Sequence, residues 1–238
     1  MMKESIKFSV LMPVRNTPLE YVKQAVDSIV SQSYRNFNFI IVDDANQRGE
    51  LIYYLYDLTR KDCCITIIRK KESEGLAAAL DFGLDACNGE IIVRMDSDDI
   101  ASPDLLQKHF EHFVIRPWVK VCGVSICLFA ERDLYKTNHP SQITNETARS
   151  MPGYWFFNHP GCAYRREDIL AVGGYGKTPS QFAEDYALWI KFLKAGYTMY
   201  NLPDVLIRYR LWNRQLSANR RTPEWYDFLE TQKQKLND

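Results

Sequence analysis

The sequence predicts an α/β fold in which a mostly parallel sheet is flanked by helices. Two observations carry that prediction. Short apolar runs alternate with amphipathic segments through residues 1–100, and three of those runs end in clustered polar or acidic residues. Strands joined by helical crossovers run parallel, so chain direction alone brings the three clusters to one edge of the sheet. Ligands of such sheets sit beyond the carboxyl ends of the strands.

The elements follow in order. Phe8 to Met12 is a short apolar run closed by Pro13, with Arg15-Asn16 beyond it. Thr17-Pro18-Leu19-Glu20 reads as a helix start, with Thr17 as N-cap and Glu20 closing a capping box. Leu19, Val22, Val26 and Ile29 then recur at helical spacing. Phe37 to Val42 is a second strand ending in Asp43-Asp44. Leu51 to Leu58 reads as a helix and Ile65 to Ile68 as a third strand. Gly75 opens a helix that stops at Asn88-Gly89, and Ile91 to Val93 runs into Asp96-Ser97-Asp98-Asp99. Ser102-Pro103-Asp104 is expected to cap the next helix, and Val119 to Ala130 is a long strand. Residues 131–155 are polar and read as a loop over the site. Gly161 to Tyr164 and Val205 to Trp212 read as strands; Arg166 to Val172, Ala183 to Ala195 and Pro223 to Leu236 read as helices.

Composition narrows the function. The 238 residues suit one domain, with residues 1–100 as a regularly alternating half and 101–238 as a less regular half with a C-terminal helix. Thirty basic residues balance thirty acidic ones, so no global field favours nucleic acid. Between Asp204 and Glu224 no acid occurs, while Arg208, Arg210, Arg214, Arg220 and Arg221 do, which reads as a solvated basic face. The terminal helix adds Trp225, Tyr226, Phe228 and Leu229, which suit either a peripheral membrane contact or packing on the domain's own core. Six cysteines without C-x-x-C spacing read as reduced thiols. With no apolar run of membrane-spanning length and no signal-peptide core, a cytoplasmic protein is expected.

Asp96-Ser97-Asp98-Asp99 carries the most chemistry. Three carboxylates in four residues repel one another unless a cation sits among them. A hard divalent ion, Mn²⁺ or Mg²⁺, that borrows substrate phosphates as ligands resolves the repulsion. Glu184-Asp185 opens a helix whose following turns are apolar. Other motifs fail on inspection. Gly176-Lys177-Thr178 resembles the end of a P-loop, yet Ala171 stands where that motif needs glycine, and no strand is followed by G-x-G-x-x-G. His109 and His112 share a helix without convergent acids and read as a surface face, so zinc is not expected.

Taken together, SVLMPVRN (Ser9 to Asn16), QSYRNFNFIIVDD (Gln32 to Asp44), EGLAAALDFGL (Glu74 to Leu84) and GEIIVRMDSDD (Gly89 to Asp99) resemble a family-2 glycosyltransferase of the GT-A fold, of the kind that builds bacterial surface polysaccharides. HPGCAYRREDILAVGGY (His159 to Tyr175), AEDYALWIKFLKAGY (Ala183 to Tyr197) and IRYRLW (Ile207 to Trp212) continue the resemblance in the expected order. It implies transfer of a sugar from a nucleoside diphosphate sugar, expected to be a UDP-sugar, to a glycan or lipid-linked acceptor. Pro13, Val14, Arg15 and Asn16 with Asp44 would hold the nucleotide base, and Asp43 and Gly75 would shape that pocket. Asp96 and Asp98 match the family's D-x-D motif, Asp98 binding metal and Asp96 reaching ribose or metal. Asp185 matches the family's general base for an inverting transfer. Two departures stand out: Arg15 replaces an aromatic residue common after Pro-Val, and Trp212 replaces a frequent histidine.

The competing readings are a nucleotide-sugar pyrophosphorylase, a phosphoreceiver domain and a catalytically silent nucleotide-sugar-binding module. The first needs a glycine-rich loop that PVRNTP lacks, and the second places its acidic pair after the first strand. Acids at positions 96, 98 and 185 argue against the third.

Overall fold

A computed structural model describes residues 5–61, 64–176, 183–213, 215 and 222–237. Strand β1 (Phe8–Val14) is buried along its whole length. It lies parallel to β2 (Phe37–Asp43) on one side and to β4 (Ile91–Arg94) on the other, and β2 carries β3 (Ile65–Arg69) in parallel. The crossovers are α1 (Leu19–Val30), α2 (Gly49–Lys61) and α3 (Leu76–Ala86). Val14 therefore pairs with Asp43 and Leu11 with Arg94, which aligns the three polar strand ends along one edge as the sequence predicted.

Beyond β4 the sheet becomes mixed. Its order is β3-β2-β1-β4-β9-β6-β10-β5, with β5 (Ile100–Ala101), β6 (Val121–Phe129), β9 (Ala163–Arg165) and β10 (Met199–Arg210). β9 is antiparallel to both β4 and β6, while β6 and β10 run parallel. β10 begins earlier than the apolar pattern indicated. Its register shifts between Leu202 and Ile207, around Pro203, which has no N–H to give the ladder.

Alternation along the strands divides the core between the two faces. Val10, Met12 and Val14 face one side with Val22, Leu51 and Leu105; Leu11, Ile40 and Val42 face the other with Leu80, Leu188 and Leu229. The second side is covered by α3, α6 (Arg166–Ala171), α7 (Glu184–Lys194) and α8 (Pro223–Gln234). The first is covered by α1, α2 and α4 (Leu105–Ile115).

Several local expectations are corrected. α1 starts at Leu19 with Pro18 at the N-cap and no side-chain cap, because the Thr17 hydroxyl is spent on Ser97 Oγ, 2.7 Å away. α4 is capped not by Ser102 but from the turn that follows α1: Gln32 Oε1 accepts from Leu106 N, and Gln32 Nε2 donates to the Ser102 and Ser28 carbonyls. His109 and His112 are buried rather than superficial, and His109 Nε2 bonds the Gly161 carbonyl at 2.8 Å. Burial holds both imidazoles down to about 4, hence neutral. Residues 131–155 are not one loop. They form β7 (Asp133–Lys136), β8 (Gln142–Ile143) and α5 (Asn145–Ser150), and β7 pairs with the end of β6 that β9 is too short to reach.

The basic stretch is not simply a solvated face. Arg208 pairs with Asp133, and Arg210 lies over Tyr21 and Phe129. Arg214, Arg220 and Arg221 lie outside the described residues, as do Lys177, Thr178 and Cys63; Cys87, Cys122, Cys127 and Cys162 are free thiols. In α8, Leu229 is buried and Trp225 and Phe228 pack on the core, leaving Tyr226 outward. Among the described residues no helix is long and apolar enough to cross a membrane.

Gly89 admits strand β1 at close range. A Cβ there would meet the Phe8 carbonyl carbon and the Ser9 nitrogen at 2.4 Å each, and both are backbone atoms of the central strand. Gly89→Ala is therefore expected to destabilise the protein by about 1–3 kcal/mol, as overpacking does. Urea unfolding should give a lower midpoint at unchanged slope.

Candidate active site

The end of β1 and the end of β2 are tied together by one buried asparagine. Asn46 Nδ2 donates to the Val14 carbonyl and to Asp43 Oδ1, both at 2.7 Å. Asn46 Oδ1 accepts from Asn16 N at 2.7 Å, which holds Asn16 at φ 53°. Asparagine tolerates that left-handed conformation. Ala45, at φ 55°, does so less readily and is held between the buried Asp44 and Asn46. The Asp43 carboxylate is completely enclosed: Oδ1 accepts from Asn46, and Oδ2 pairs with Arg69 Nη1 at 2.7 Å. Asp43 and Val14 do not reach the wall of the cleft. Val14 is packed in the core, and Asp43 acts on the cleft through Asn46.

The remaining candidates, Pro13, Arg15, Asn16, Asp44, Gly75, Asp96, Asp98 and Asp185, line a single cleft of about 910 Å³. Arg15 Nη1 donates to the Asp44 carbonyl at 2.7 Å, and Ser73 Oγ donates to Asp44 Oδ2 at 2.5 Å. Asp44 Oδ1 is buried with no partner, an acceptor left over on the wall. Gly75, at φ 99°, turns the chain into α3, a conformation that disfavours any side chain.

Below this wall lies the acidic cluster. One oxygen from each of Asp96, Asp98 and Asp99 lies within 4.8 Å of the others. Arg94, buried at the end of β4, pairs with Asp96, and although burial opposes its charge, the attraction of Asp96 outweighs this and keeps it firmly protonated. Trp212 Nε1 donates to Asp98 Oδ2 at 2.7 Å, and Arg210 N donates to Asp99 Oδ1 at 2.8 Å. Burial, then the charge of Asp96, lifts the Asp98 carboxyl to about 6. The same causes, with Asp98 added, push Asp99 well above the usual carboxylate range. Asp99 Oδ2 is buried without a partner. An all-oxygen set with an orphaned buried oxygen, where of the three acids only Asp96 has a direct ion pair, fits a hard divalent ion. The indole that replaces the expected histidine cannot ligate metal, since it only donates, and instead orients a carboxylate.

Asp185 sits at the first turn of α7, half-buried, where a helix N-terminus favours an acid. It lines the cleft described above and also a second hollow of about 1170 Å³; Trp155, Tyr209, Trp212 and Gln215 are shared by both. Its neighbour Glu184 is buried, 3.9 Å from His159 Nδ1, and His159 Nε2 meets the Tyr175 hydroxyl at 2.7 Å.

Sequence reasoning missed Arg94, Asn46, Thr17 and Ser97. Arg94 had a readable signal, a charge closing an otherwise apolar strand. The Thr17–Ser97 contact spans 80 residues and had none.

Residues 9–173 match the profile described as Glycosyl transferase family 2, so the chain belongs to that family and is a glycosyltransferase. Among its relatives is an Escherichia coli UDP-Gal:alpha-D-GlcNAc-diphosphoundecaprenol beta-1,3-galactosyltransferase. The two are 31% identical over 222 residues, covering 88% of this chain and 76% of the relative. The amylovoran biosynthesis glycosyltransferase AmsE of Erwinia amylovora is 25% identical, with 90% of this chain and 79% of AmsE covered. The fold is GT-A. Staphylococcal TarS (S. aureus, residues 1–349, with UDP-GlcNAc) superposes with a TM-score of 0.77 at 16% identity, over 97% of this chain and 66% of that one. The mannosyltransferase PcManGT of Pyrobaculum calidifontis, solved with GDP-Man and Mn²⁺, gives 0.68 at 18% identity over 97% and 70%.

Asn46→Ala removes the clamp that joins two strand ends and leaves the part-buried Asn16 N–H without its partner. A loss of about 1–3 kcal/mol is expected from a polar group left unpaired, read as a lowered urea midpoint.

Proposed function

We propose that the protein is an inverting transferase that moves a sugar from a UDP-sugar to a hydroxyl of a glycan or lipid-linked acceptor, assisted by Mn²⁺ or Mg²⁺. The observation that carries this is the position of Asp185, on the wall common to two hollows whose other sides differ in chemistry. One contains the acidic cluster and three arginines, Arg15, Arg48 and Arg94; the other is aromatic.

The roles follow from the chemistry each group can perform. Asp44, whose Oδ1 has no partner in the protein, would accept the N3–H of uracil, a donor that cytosine lacks. Arg15, beside it, supplies a donor suited to a base carbonyl. Asp96, Asp98 and Asp99 are the residues that would hold the metal, with Asp96 kept in place by Arg94 and Asp98 by Trp212. A bound divalent cation supplies a Lewis acid for the charge that accumulates on a diphosphate leaving group. Asp185 would take the proton of the acceptor hydroxyl, a poor nucleophile near neutral pH, as the new bond forms on the face opposite the leaving group. Glu184 is enclosed beside His159 and is less able to reach an acceptor. The E. coli relative acts on a diphosphoundecaprenol-linked sugar, which supports a lipid-linked acceptor and action at the cytoplasmic side of a membrane. A silent binding module would have no need of a half-buried carboxylate at this junction.

Two measurements test the reading. Calorimetry of UDP binding should show affinity that depends on Mn²⁺ in the wild type and no longer does so in Asp98→Ala; equal wild-type affinity with Mn²⁺ and with EDTA would refute the metal role. Asp185→Asn should keep UDP binding while lowering transfer by about 10²- to 10⁴-fold. If Glu184→Gln is the crippling change and Asp185→Asn is mild, the base is misassigned.

A further inference from the structure

Each of the three carboxylates at the acidic cluster has one oxygen held by a donor from the fold. Arg94 Nη1 donates to Asp96 Oδ2, Trp212 Nε1 to Asp98 Oδ2 at 2.7 Å, and the Arg210 backbone N–H to Asp99 Oδ1 at 2.8 Å. The other oxygen of Asp99 is buried with no partner in the protein. Two of these donors come from the end of β10. Arg210 and Trp212 lie two residues apart where the chain still runs beside β6, Leu211 N donating to the Phe129 carbonyl at 2.8 Å, so they project to the same side. Both reach Asp98: Arg210 Nε donates to its backbone carbonyl at 2.7 Å while the indole holds its carboxylate. The indole is itself fixed. Its ring stands edge-on to Tyr21 with centroids 5.7 Å apart, and the Trp212 backbone N–H donates to Gln215 Oε1 at 2.8 Å.

We propose that Trp212 is a positioning residue that sets which cation the cluster accepts: by holding Asp98 at one oxygen it prevents a two-oxygen chelate and so discriminates against Ca²⁺. The proposal rests on the metal role given above and specifies the selectivity of that site. A carboxylate that chelates one ion must turn both oxygens towards it. The indole N–H fills a lone-pair site on Oδ2 and fixes the plane of the carboxylate, so a chelate has to break this hydrogen bond. Its acceptor is charged, which makes the bond stronger than a neutral one. Ca²⁺ takes about six to eight oxygens and often draws carboxylates in through both, whereas Mg²⁺ needs about six ligands, most of them water and substrate phosphate. Three acids that each keep one oxygen free of these donors suit the smaller ion. The residue type matters as well, because an indole donates and never ligates. Trp212 also lines both hollows, and a purely space-filling role there would not require its N–H on Asp98. Phenylalanine at this position separates the two roles.

Competition for Mn²⁺ on the full chain tests this, with free Mn²⁺ read by electron paramagnetic resonance in the presence and absence of UDP. Mg²⁺ and Ca²⁺ are titrated against bound Mn²⁺, samples of UDP alone being subtracted, and the quantity compared is the ratio of their dissociation constants. In the wild type Ca²⁺ should bind about tenfold or more weakly than Mg²⁺. Trp212→Phe keeps the ring against Tyr21 and removes only the N–H. Its ratio should narrow by about threefold or more, as expected when a hydrogen bond to a charged group no longer opposes the chelate. Gln215→Leu, which releases the Trp212 backbone, should shift the ratio in the same direction by less. Trp118→Phe, 63% exposed in the turn before β6, should leave it unchanged. Ca²⁺ that displaces Mn²⁺ from the wild type as readily as Mg²⁺ does overturns the proposal. So does a ratio unchanged in both Trp212→Phe and Gln215→Leu, or an equal change in Trp118→Phe. No Mn²⁺ binding to the wild type, with or without UDP, overturns it together with the metal role. A ratio that narrows as expected, in a protein where Asp185→Asn leaves transfer intact, removes the base assignment and leaves the role of Trp212 standing.

Discussion

The repulsion among Asp96, Asp98 and Asp99 is the constraint around which the site is organised. Three carboxylates with oxygens within 4.8 Å cannot all be ionised in a buried setting without compensation. The fold supplies part of it from distant segments: Arg94 from the end of β4, the Trp212 indole and the Arg210 backbone from the end of β10. Each compensating group satisfies one carboxylate and leaves the cluster as a whole short of positive charge. Burial, and then the repulsion that this deficit leaves, holds Asp98 and Asp99 above the usual carboxylate range in the protein alone, and a cation among them would relieve it.

The wall of the cleft at the ends of β1 and β2 is built on the opposite plan, with nearly everything satisfied in advance. Asp43 spends its charge on Asn46 and Arg69, Asn46 spends its amide on the chain at Val14 and Asn16, and Asp44 is held by Ser73. What remains is one buried acceptor, Asp44 Oδ1, with no partner in the protein. Rigidity of this kind lowers the entropic cost of binding, because few groups must be ordered when a ligand arrives. The left-handed Asn16 and Ala45 are the strained parts of that wall, of the order of 1 kcal/mol or more for the alanine, and they persist because the surrounding hydrogen bonds over-determine them.

β10 links these two regions. It lies parallel to β6 and its far end delivers Tyr209, Arg210 and Trp212 to the junction of the two hollows. Arg210 is fastened by its own stacking on Tyr21 and Phe129 and by donating from Nε to the Asp98 carbonyl. The same strand end therefore braces the acidic cluster and forms part of the wall of the second hollow, so the two hollows share one rigid support.

How much of this was legible in the chain differs by element. The alternation of apolar runs and helical periodicity was enough to specify the parallel β1, β2 and β4 and the convergence of their polar ends, because a parallel crossover leaves no other geometry. It was enough for α7 and its opening acids as well. The caps of α1 and α4 were misread because a local rule assigns Thr17 and Ser102 to their own helices, whereas the folded chain gives Thr17 to Ser97 and caps α4 from Gln32. The histidines of α4 were misread for a related reason: burial depends on what packs across the face, and Gly161 lies 52 residues away.

Sequence by itself determined the order of strands and helices from β1 to β4, the edge at which the acids gather and the family to which the chain belongs. These are properties of period, direction and local chemistry. Only the tertiary structure decided that Arg94 and Trp212 brace the acids, that Asp43 is spent on the fold while Asp44 faces the cleft, and that Asp185 stands between two hollows. Each of those is a contact between residues far apart in the chain. No local propensity encodes it, because it arises only when the packing of the sheet brings their side chains within bonding distance.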